Sequence, residues 1–148
     1  MRQTTIIARP ATENDAASIS ALLHELGYSL GVADTQKNIA RLSSSSGDTV
    51  LVAEAASAVV GVISFHVMPL FHVAGNLGRI TSLVVSSQWQ RHGVGRKLVQ
   101  AAEDFAWSQG CLRIEVTSGD QREDAHKFYQ NLGYQLDERR FIKCPTAR

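Results

Sequence analysis

Cysteine is scarce in this chain: Cys111 and Cys144 are the only two in 148 residues. Neither stands in a C-x-x-C pair or at Cys/His ligand spacing, so no metal site is expected. Two such thiols suit a reducing compartment. Long apolar runs are missing too. Nothing approaches the roughly 18 residues of a membrane-spanning helix, so no membrane partner is expected. Residues 1–10 carry Arg2 but no apolar stretch of the signal-peptide kind. A cytoplasmic protein is therefore expected. An excess of charge of one sign is also lacking. Fifteen Lys and Arg face 14 Asp and Glu, a formal net charge of +1. No global basic field invites nucleic acid, and any anion site has to be local. There is no internal repeat, and the only biased tract is the serine run at 43–46.

What is present is ordinary globular material, 44% hydrophobic and 20% charged. The length suits one compact domain over residues 1–148, with a core large enough to need no staples. Residues 4–8 (TTIIA) are β-branched and stop near Pro10, which predicts a strand. Thr12 with Asp15 forms a capping-box pattern. Ala16, Ile19, Leu22, Leu23 and Leu26 then recur at helical spacing until Gly27. A shorter helix is expected over 35–42, and strands over 49–54, 59–67 and 80–85. Val94, Leu98, Ala101, Ala102 and Phe105 line one face of a helix that Gly110 ends. A strand over 112–116 follows. A helix capped by Asp120 and Glu123 comes next, with Ala125, Phe128, Tyr129 and Leu132 inward. Closing strands are expected over 134–136 and 140–143. The order is β-α-α-β-β-β-α-β-α-β-β, an α+β fold with a mixed sheet.

The chemistry gathers after the strand 80–85. Val84 and Val85 lead through Ser86, Ser87, Gln88 and Trp89 into Gln90-Arg91-His92-Gly93-Val94-Gly95-Arg96-Lys97. A strand, a glycine-bearing turn and a helix N-terminus come in sequence. The first N–H groups of a helix lack internal partners, and its dipole adds partial positive charge. Gly93 and Gly95 remove side chains where an anion must reach the backbone. Arg91, His92, Arg96 and Lys97 add donors. Glycines that merely shape a turn, beside a solvated basic face, are the simpler explanation of such a pattern. The strand–turn–helix context favours a phosphate or diphosphate site instead. It is not a Walker A loop, because Gly95 is followed by Arg96, Lys97 and Leu98. It is not a dinucleotide fingerprint either, because Leu98 replaces the third glycine.

Residues 90–95 resemble the Q/R-x-x-G-x-G/A motif of the GNAT superfamily of N-acetyltransferases. Ala125-His126-Lys127-Phe128-Tyr129-Gln130-Asn131-Leu132-Gly133-Tyr134 resembles that family's later A-x-x-x-Y-x-x-x-G-F/Y helix. The two stand in the family's order, and the element order matches over 4–143. The resemblance implies a mostly antiparallel central sheet flanked by helices, and acetyl-CoA as co-substrate. It implies that the backbone of Leu83, Val84 and Val85 pairs with the pantetheine arm, as a substitute strand. The turn amides of Arg91, His92, Gly93, Val94, Gly95 and Arg96 would hold the pyrophosphate. The strands at 83–85 and 112–116 would splay to admit the thioester. Tyr129 matches the family's tyrosine near the cofactor sulfur, where its hydroxyl would protonate the departing thiolate. Arg122 stands where many relatives have Asn, and suits a phosphate, a substrate carboxylate or plain solvent.

The base is left open. Thr81 and Ser82 occupy the place where many relatives carry an acidic residue. Glu115 is a candidate if it faces the cleft; His66 and His72 are others, and a water relay can suffice. A glutamate on a strand commonly pairs with a neighbouring arginine, which favours the relay over Glu115. The expected reaction is direct attack by a neutral amine in a ternary complex, with a backbone N–H near Leu83 or Val84 polarising the thioester oxygen. The acceptor pocket would be built from 26–33 and 69–78, where Pro69-Leu70-Phe71-His72 suit a small or medium primary amine. Two other functions remain open: acetylation of a protein or peptide amine, and non-catalytic acyl-CoA sensing. A homodimer is compatible with these features.

Overall fold

In the computed structural model, the structure describes residues 4–116, 123–137 and 139–145. The chain falls into two compact units, Met1–Thr117 and Ser118–Arg148.

The first unit opens with β1 (Ile6–Pro10). Pro10 is tolerable there because, among the described residues, β1 is an edge strand with β2 as its only partner. The capping box forms as expected at Thr12, over the single 3-10 turn Glu13–Asp15. Thr12 N–H donates to Asp15 Oδ2 at 2.8 Å. Helix α1 (Ala16–Glu25) follows and buries Ala16, Ile19 and Leu22. Gly27, at φ +92, turns the chain away. Helix α2 (Val32–Ser43) starts three residues before the expected position and buries Thr35 and Ile39.

Strands β2 (Asp48–Ala55), β3 (Ala58–Pro69) and β4 (Asn76–Val85) form an antiparallel meander. Helix α3 (Val94–Ser108) then carries the chain over to β5 (Cys111–Val116), which lies parallel to β4. The sheet order is β1-β2-β3-β4-β5. The mixed, mostly antiparallel sheet flanked by helices is thus as expected.

Strand alternation gives the sheet two different faces. Val52, Val62 and Val84 join Ile19, Leu22 and Ile39 in one cluster under α1 and α2. Phe65 stands edge-on to Phe105 of α3, with centroids 6.1 Å apart, on the other face. Two ladder irregularities matter for the site. The β3–β4 register passes from Ser64↔Ser82 to Phe65↔Ile80, so Thr81 is an extra residue on β4. Among the described residues, the last β4–β5 pair is Ile80↔Val116. A bulge bends the strand that carries it, and here it lies next to the last pair that β4 makes with the described residues of β5.

The second unit contains α4 (Glu123–Asn131). Gly133 closes it at φ +94, and Tyr134 N–H donates to Tyr129 O at 3.0 Å. The closing strands expected over 134–136 and 140–143 are a correction: among the described residues neither forms a strand. Phe141 and Ile142 are exposed. Their β propensity reflects side chains that pack well on a sheet, and without a ladder it creates no strand.

Candidate active site

The expected anion turn is built as a strand running into a helix. Leu83, Val84 and Val85 occupy the end of β4 and pair on one side with Ile63, Val62 and Gly61 of β3. Among the described residues, no strand pairs with the other side of 81–85. Gln90 Nε2 donates to Val85 O at 3.0 Å, and Ser87 N–H donates to Glu25 Oε1 at 3.1 Å. These bonds tie the turn back to β4 and α1. Arg91 takes φ +63, and Gly93, the N-cap of α3, takes φ +80. This left-handed backbone is natural only for glycine at 93 and is uncommon for arginine at 91.

Among the described residues, no side chain caps α3. A Cβ added at Gly93 would meet nothing within 4 Å, so the approach to the helix N-terminus is open. Gly61 seats that helix: a Cβ there would lie 2.8 Å from Val94 Cγ1 and 3.2 Å from Val84 O. Arg91, His92, Arg96 and Lys97 are exposed around the turn. His92 Nδ1 lies 2.8 Å from Gln90 O, and its ring tilts against Trp89. Uncapped amides, helix dipole and cations therefore converge on one open spot, as an anion site needs.

A cavity of about 410 Å³ is lined by Leu23, Tyr28, Ser29, Leu30, Thr81 and Ser82. It combines the end of α1, the following loop and the β4 bulge. The expected loop over 26–33 contributes to it; Pro69, Leu70, Phe71 and His72 do not line it.

The candidate bases are distributed unequally. Glu115 is held between two guanidiniums: Arg79 Nη2 donates to Oε1 at 2.8 Å, and Arg113 Nε to Oε2 at 2.9 Å. Both carboxylate oxygens are thus engaged by cations. The Arg79 Nε–H is buried with no acceptor among the described residues, a donor that a ligand or water would satisfy. His66 is embedded in a polar chain across three strands. Its Nδ1 lies 2.9 Å from Asp48 Oδ1 of β2, and its Nε2 lies 2.8 Å from Thr81 Oγ1 of β4. Ser64 Oγ lies 2.7 Å from Thr81 Oγ1 and 2.5 Å from Ser82 Oγ. Asp48 and this connected chain were missed in the sequence, where Asp48 closes a polar loop. The available signal was the pair of polar residues, Ser64 and His66, two apart in an otherwise apolar strand.

Burial raises the Cys111 thiol above its usual range, which keeps it protonated and a poor nucleophile. Within the second unit, half-buried Tyr129 stacks edge-on with Phe128 and Tyr134. Burial pushes its phenol up to about 12. Asp120 and Arg122 lie outside the described residues. Among the described residues no cluster of ligating side chains could hold a metal ion. No described helix is long and apolar enough to cross a membrane.

A strand that runs through an open turn into a helix N-terminus, with no described side chain capping it, places this chain among folds that hold a phosphate-bearing cofactor there. The sequence model of the acetyltransferase (GNAT) family matches residues 17–134, and the chain belongs to that family. It is an acyltransferase of the N-acetyltransferase type. The aminoalkylphosphonate N-acetyltransferase of Salmonella typhimurium is 31% identical, over 92% of this chain and 89% of its own length. The glucosamine 6-phosphate N-acetyltransferase of Trypanosoma brucei brucei is 29% identical, over 55% of this chain and 54% of its own. Among solved structures, an aminoglycoside N-acetyltransferase in complex with CoA superposes with TM-score 0.86 at 13% identity, covering 99% of this chain and 98% of that one. The glucosamine-6-phosphate N-acetyltransferase of Arabidopsis thaliana gives 0.82 at 19%, covering 96% and 99%. These two structures speak for the fold alone.

Proposed function

We propose that the chain transfers an acetyl group from acetyl-CoA directly to the primary amine of a small molecule that also carries a phosphonate or phosphate. The observation that carries the acetyl-CoA site is β4 running through an open, cation-flanked turn into the N-terminus of α3, which no described side chain caps. Leu83, Val84 and Val85 offer backbone groups to the pantetheine arm. The amides of Arg91, His92, Gly93, Val94, Gly95 and Arg96 hold the pyrophosphate, and an N–H at Leu83 or Val84 polarises the thioester carbonyl. The acceptor enters at the cavity beside Thr81 and Ser82. Its class is taken from the relatives named for an aminoalkylphosphonate and an amino sugar phosphate.

Tyr129 supplies the proton to the leaving thiolate. The support is its place in the A-x-x-x-Y motif and a phenol that keeps its proton at neutral pH. Glu115 is the weaker base, since each of its oxygens already faces an arginine. The family match crosses the boundary between the two units, which supports one catalytic domain over 1–148. The enzyme acts in the cytoplasm, without nucleic acid or membrane, and a homodimer is compatible with it.

Calorimetric titration with CoA, wild type against Gly93→Asp, tests the site. The variant adds a carboxylate and a side chain at φ +80, and its affinity should fall at least tenfold, a change of about 1.4 kcal/mol. Undiminished affinity in a folded variant removes the pyrophosphate assignment. A thiol-release assay with 2-aminoethylphosphonate, glucosamine 6-phosphate and a peptide amine then tests the acceptor. Turnover of the peptide alone would replace this acceptor class with a protein one.

A further inference from the structure

We propose that the hydroxyls of Ser82, Ser64 and Thr81 form a proton relay from the acceptor cavity to His66, with Asp48 as its positioning residue. The inference rests on the acetyl transfer proposed above and supplies that reaction's base. Thr81 and Ser82 line the cavity, and the chain behind them is continuous: Ser82 to Ser64 at 2.5 Å, Ser64 to Thr81 at 2.7 Å, Thr81 to His66 Nε2 at 2.8 Å, His66 Nδ1 to Asp48 at 2.9 Å.

The donor order along this chain is forced from one end. An ionised carboxylate only accepts, so His66 Nδ1 carries its hydrogen toward Asp48. In the neutral ring Nε2 is then the acceptor, and Thr81 must donate to it. Thr81 has one hydroxyl hydrogen, so its contact with Ser64 is filled by the Ser64 hydrogen. By the same count the Ser64–Ser82 contact is filled by the Ser82 hydrogen. Every hydroxyl points toward His66, and the Ser82 oxygen turns lone pairs toward the cavity. Hydrogen bonds aligned in one direction polarise one another.

The bulge makes this possible. The extra residue on β4 brings Thr81 and Ser82, consecutive on one strand, onto the same Ser64. An unbulged strand would turn consecutive side chains to opposite faces.

The proton count closes. An N–H bond of the acceptor ammonium breaks as an O–H bond forms on Ser82. Ser82 passes its own proton to Ser64, Ser64 to Thr81, and Thr81 to Nε2. The products are a neutral amine and an imidazolium paired with Asp48. The amine lone pair attacks the thioester carbonyl, the C–S bond breaks, and CoA leaves as the thiol. The thiolate takes its proton from Tyr129, and the second proton lost by the amide nitrogen restores the phenol. His66, with its side chain 25% exposed, returns the first proton to water.

Two measurements test the relay. Nitrogen NMR of the histidine rings, at a pH where His66 is neutral, should show Nδ1 protonated and Nε2 bare. Asp48→Asn should weaken that preference. A wild-type ring protonated at Nε2 overturns the relay, whether or not any amine is acetylated. Kinetics with 2-aminoethylphosphonate and acetyl-CoA form the second test, on variants shown to be folded by circular dichroism. Thr81→Val and His66→Gln should each lower kcat on the order of 10²-fold, the usual contribution of a general base. Their KM for acetyl-CoA should stay within about twofold, since the relay acts after binding. Thr81→Ser, which restores a hydroxyl, should stay within about threefold of wild-type kcat. The loss with glucosamine 6-phosphate, a less basic amine, should be smaller. Thr81→Val at wild-type kcat, or Thr81→Ser as slow as Thr81→Val, overturns the relay. Failure of the wild type with both amines instead refutes the acceptor class, and the ring tautomer still decides the relay.

Discussion

Asp15 joins three jobs in one carboxylate. It accepts from Arg9 Nη1 at 2.8 Å and Arg9 Nη2 at 2.9 Å, and from Thr12 N–H at 2.8 Å. The Arg9 guanidinium holds it below the usual carboxylate range, against the opposing effect of burial. Arg9 also donates to Glu54 of β2, so the start of α1 is tied to two strands. A group whose folded pKa is depressed stabilises the fold above its unfolded pKa, about 4 for a carboxylate, and loses that contribution as pH falls through the folded value. Asp15→Asn should therefore lower stability at neutral pH by about 1–3 kcal/mol, and the difference from wild type should shrink in acid. Urea titrations at neutral pH and below pH ~4 measure both; a gap that stays constant with pH would assign the loss to the cap alone. Tyr129 makes the contrasting case, because its value lies in a proton retained. Tyr129→Phe keeps the ring and should leave CoA affinity unchanged while kcat drops on the order of 10²-fold. Turnover at the wild-type rate would leave Tyr129 a packing residue.

Among the elements, α3 sets the proposed anion site and β3 sets α3. Gly61 allows the helix to approach, with Val94 and Leu98 both fully packed against it. Gly61→Ala puts a methyl group 2.8 Å from Val94 Cγ1, so either the side chain or the helix must move. The expected cost is about 1–3 kcal/mol from overpacking. If the helix N-terminus moves, CoA affinity falls as well; a lower Tm with unchanged affinity would show that Val94 alone adjusts. This packing also explains what the sequence could tell. Helix α1 was legible because a capping box, a 3.6-residue apolar period and a terminal glycine agree locally, and α3 because its apolar period runs up to Gly110. The first half of β4 was not, since Asn76, Gly78 and Arg79 have little strand character and are held by pairing with Pro69, Val67, His66 and β5. The turn proposed to hold the pyrophosphate stood out as contiguous residues from Gln90 to Lys97. The polar chain did not, because Asp48 and His66 stand 18 positions apart and His66 and Thr81 stand 15 apart. Only the strand register and the bulge bring them together.

For the molecule as a whole, the two cysteines report on folding and ligand together. Cys111 is buried at the start of β5, and its Sγ lies 3.3 Å from where a Cβ on Gly78 would stand. Cys144 is exposed. A thiol reagent should label Cys144 at the rate of a free thiol, whereas Cys111 must wait for an opening of the sheet. A ligand that binds only the folded state lowers the population of the open one by the factor 1 + [L]/Kd. CoA at 100 times its Kd should thus stabilise the fold by about 2.7 kcal/mol. For a chain of this size that raises Tm by roughly 5–10 °C. If Cys111 is reached only through global unfolding, its labelling should slow about 100-fold under the same conditions, with Cys144 unaffected. A rise in Tm without protection of Cys111 would mean that β5 opens locally while α3 stays closed over its ligand. That outcome would separate the edge strand from the cooperative core. Parallel slowing and stabilisation would instead tie β5, α3 and the cofactor turn into one folding unit.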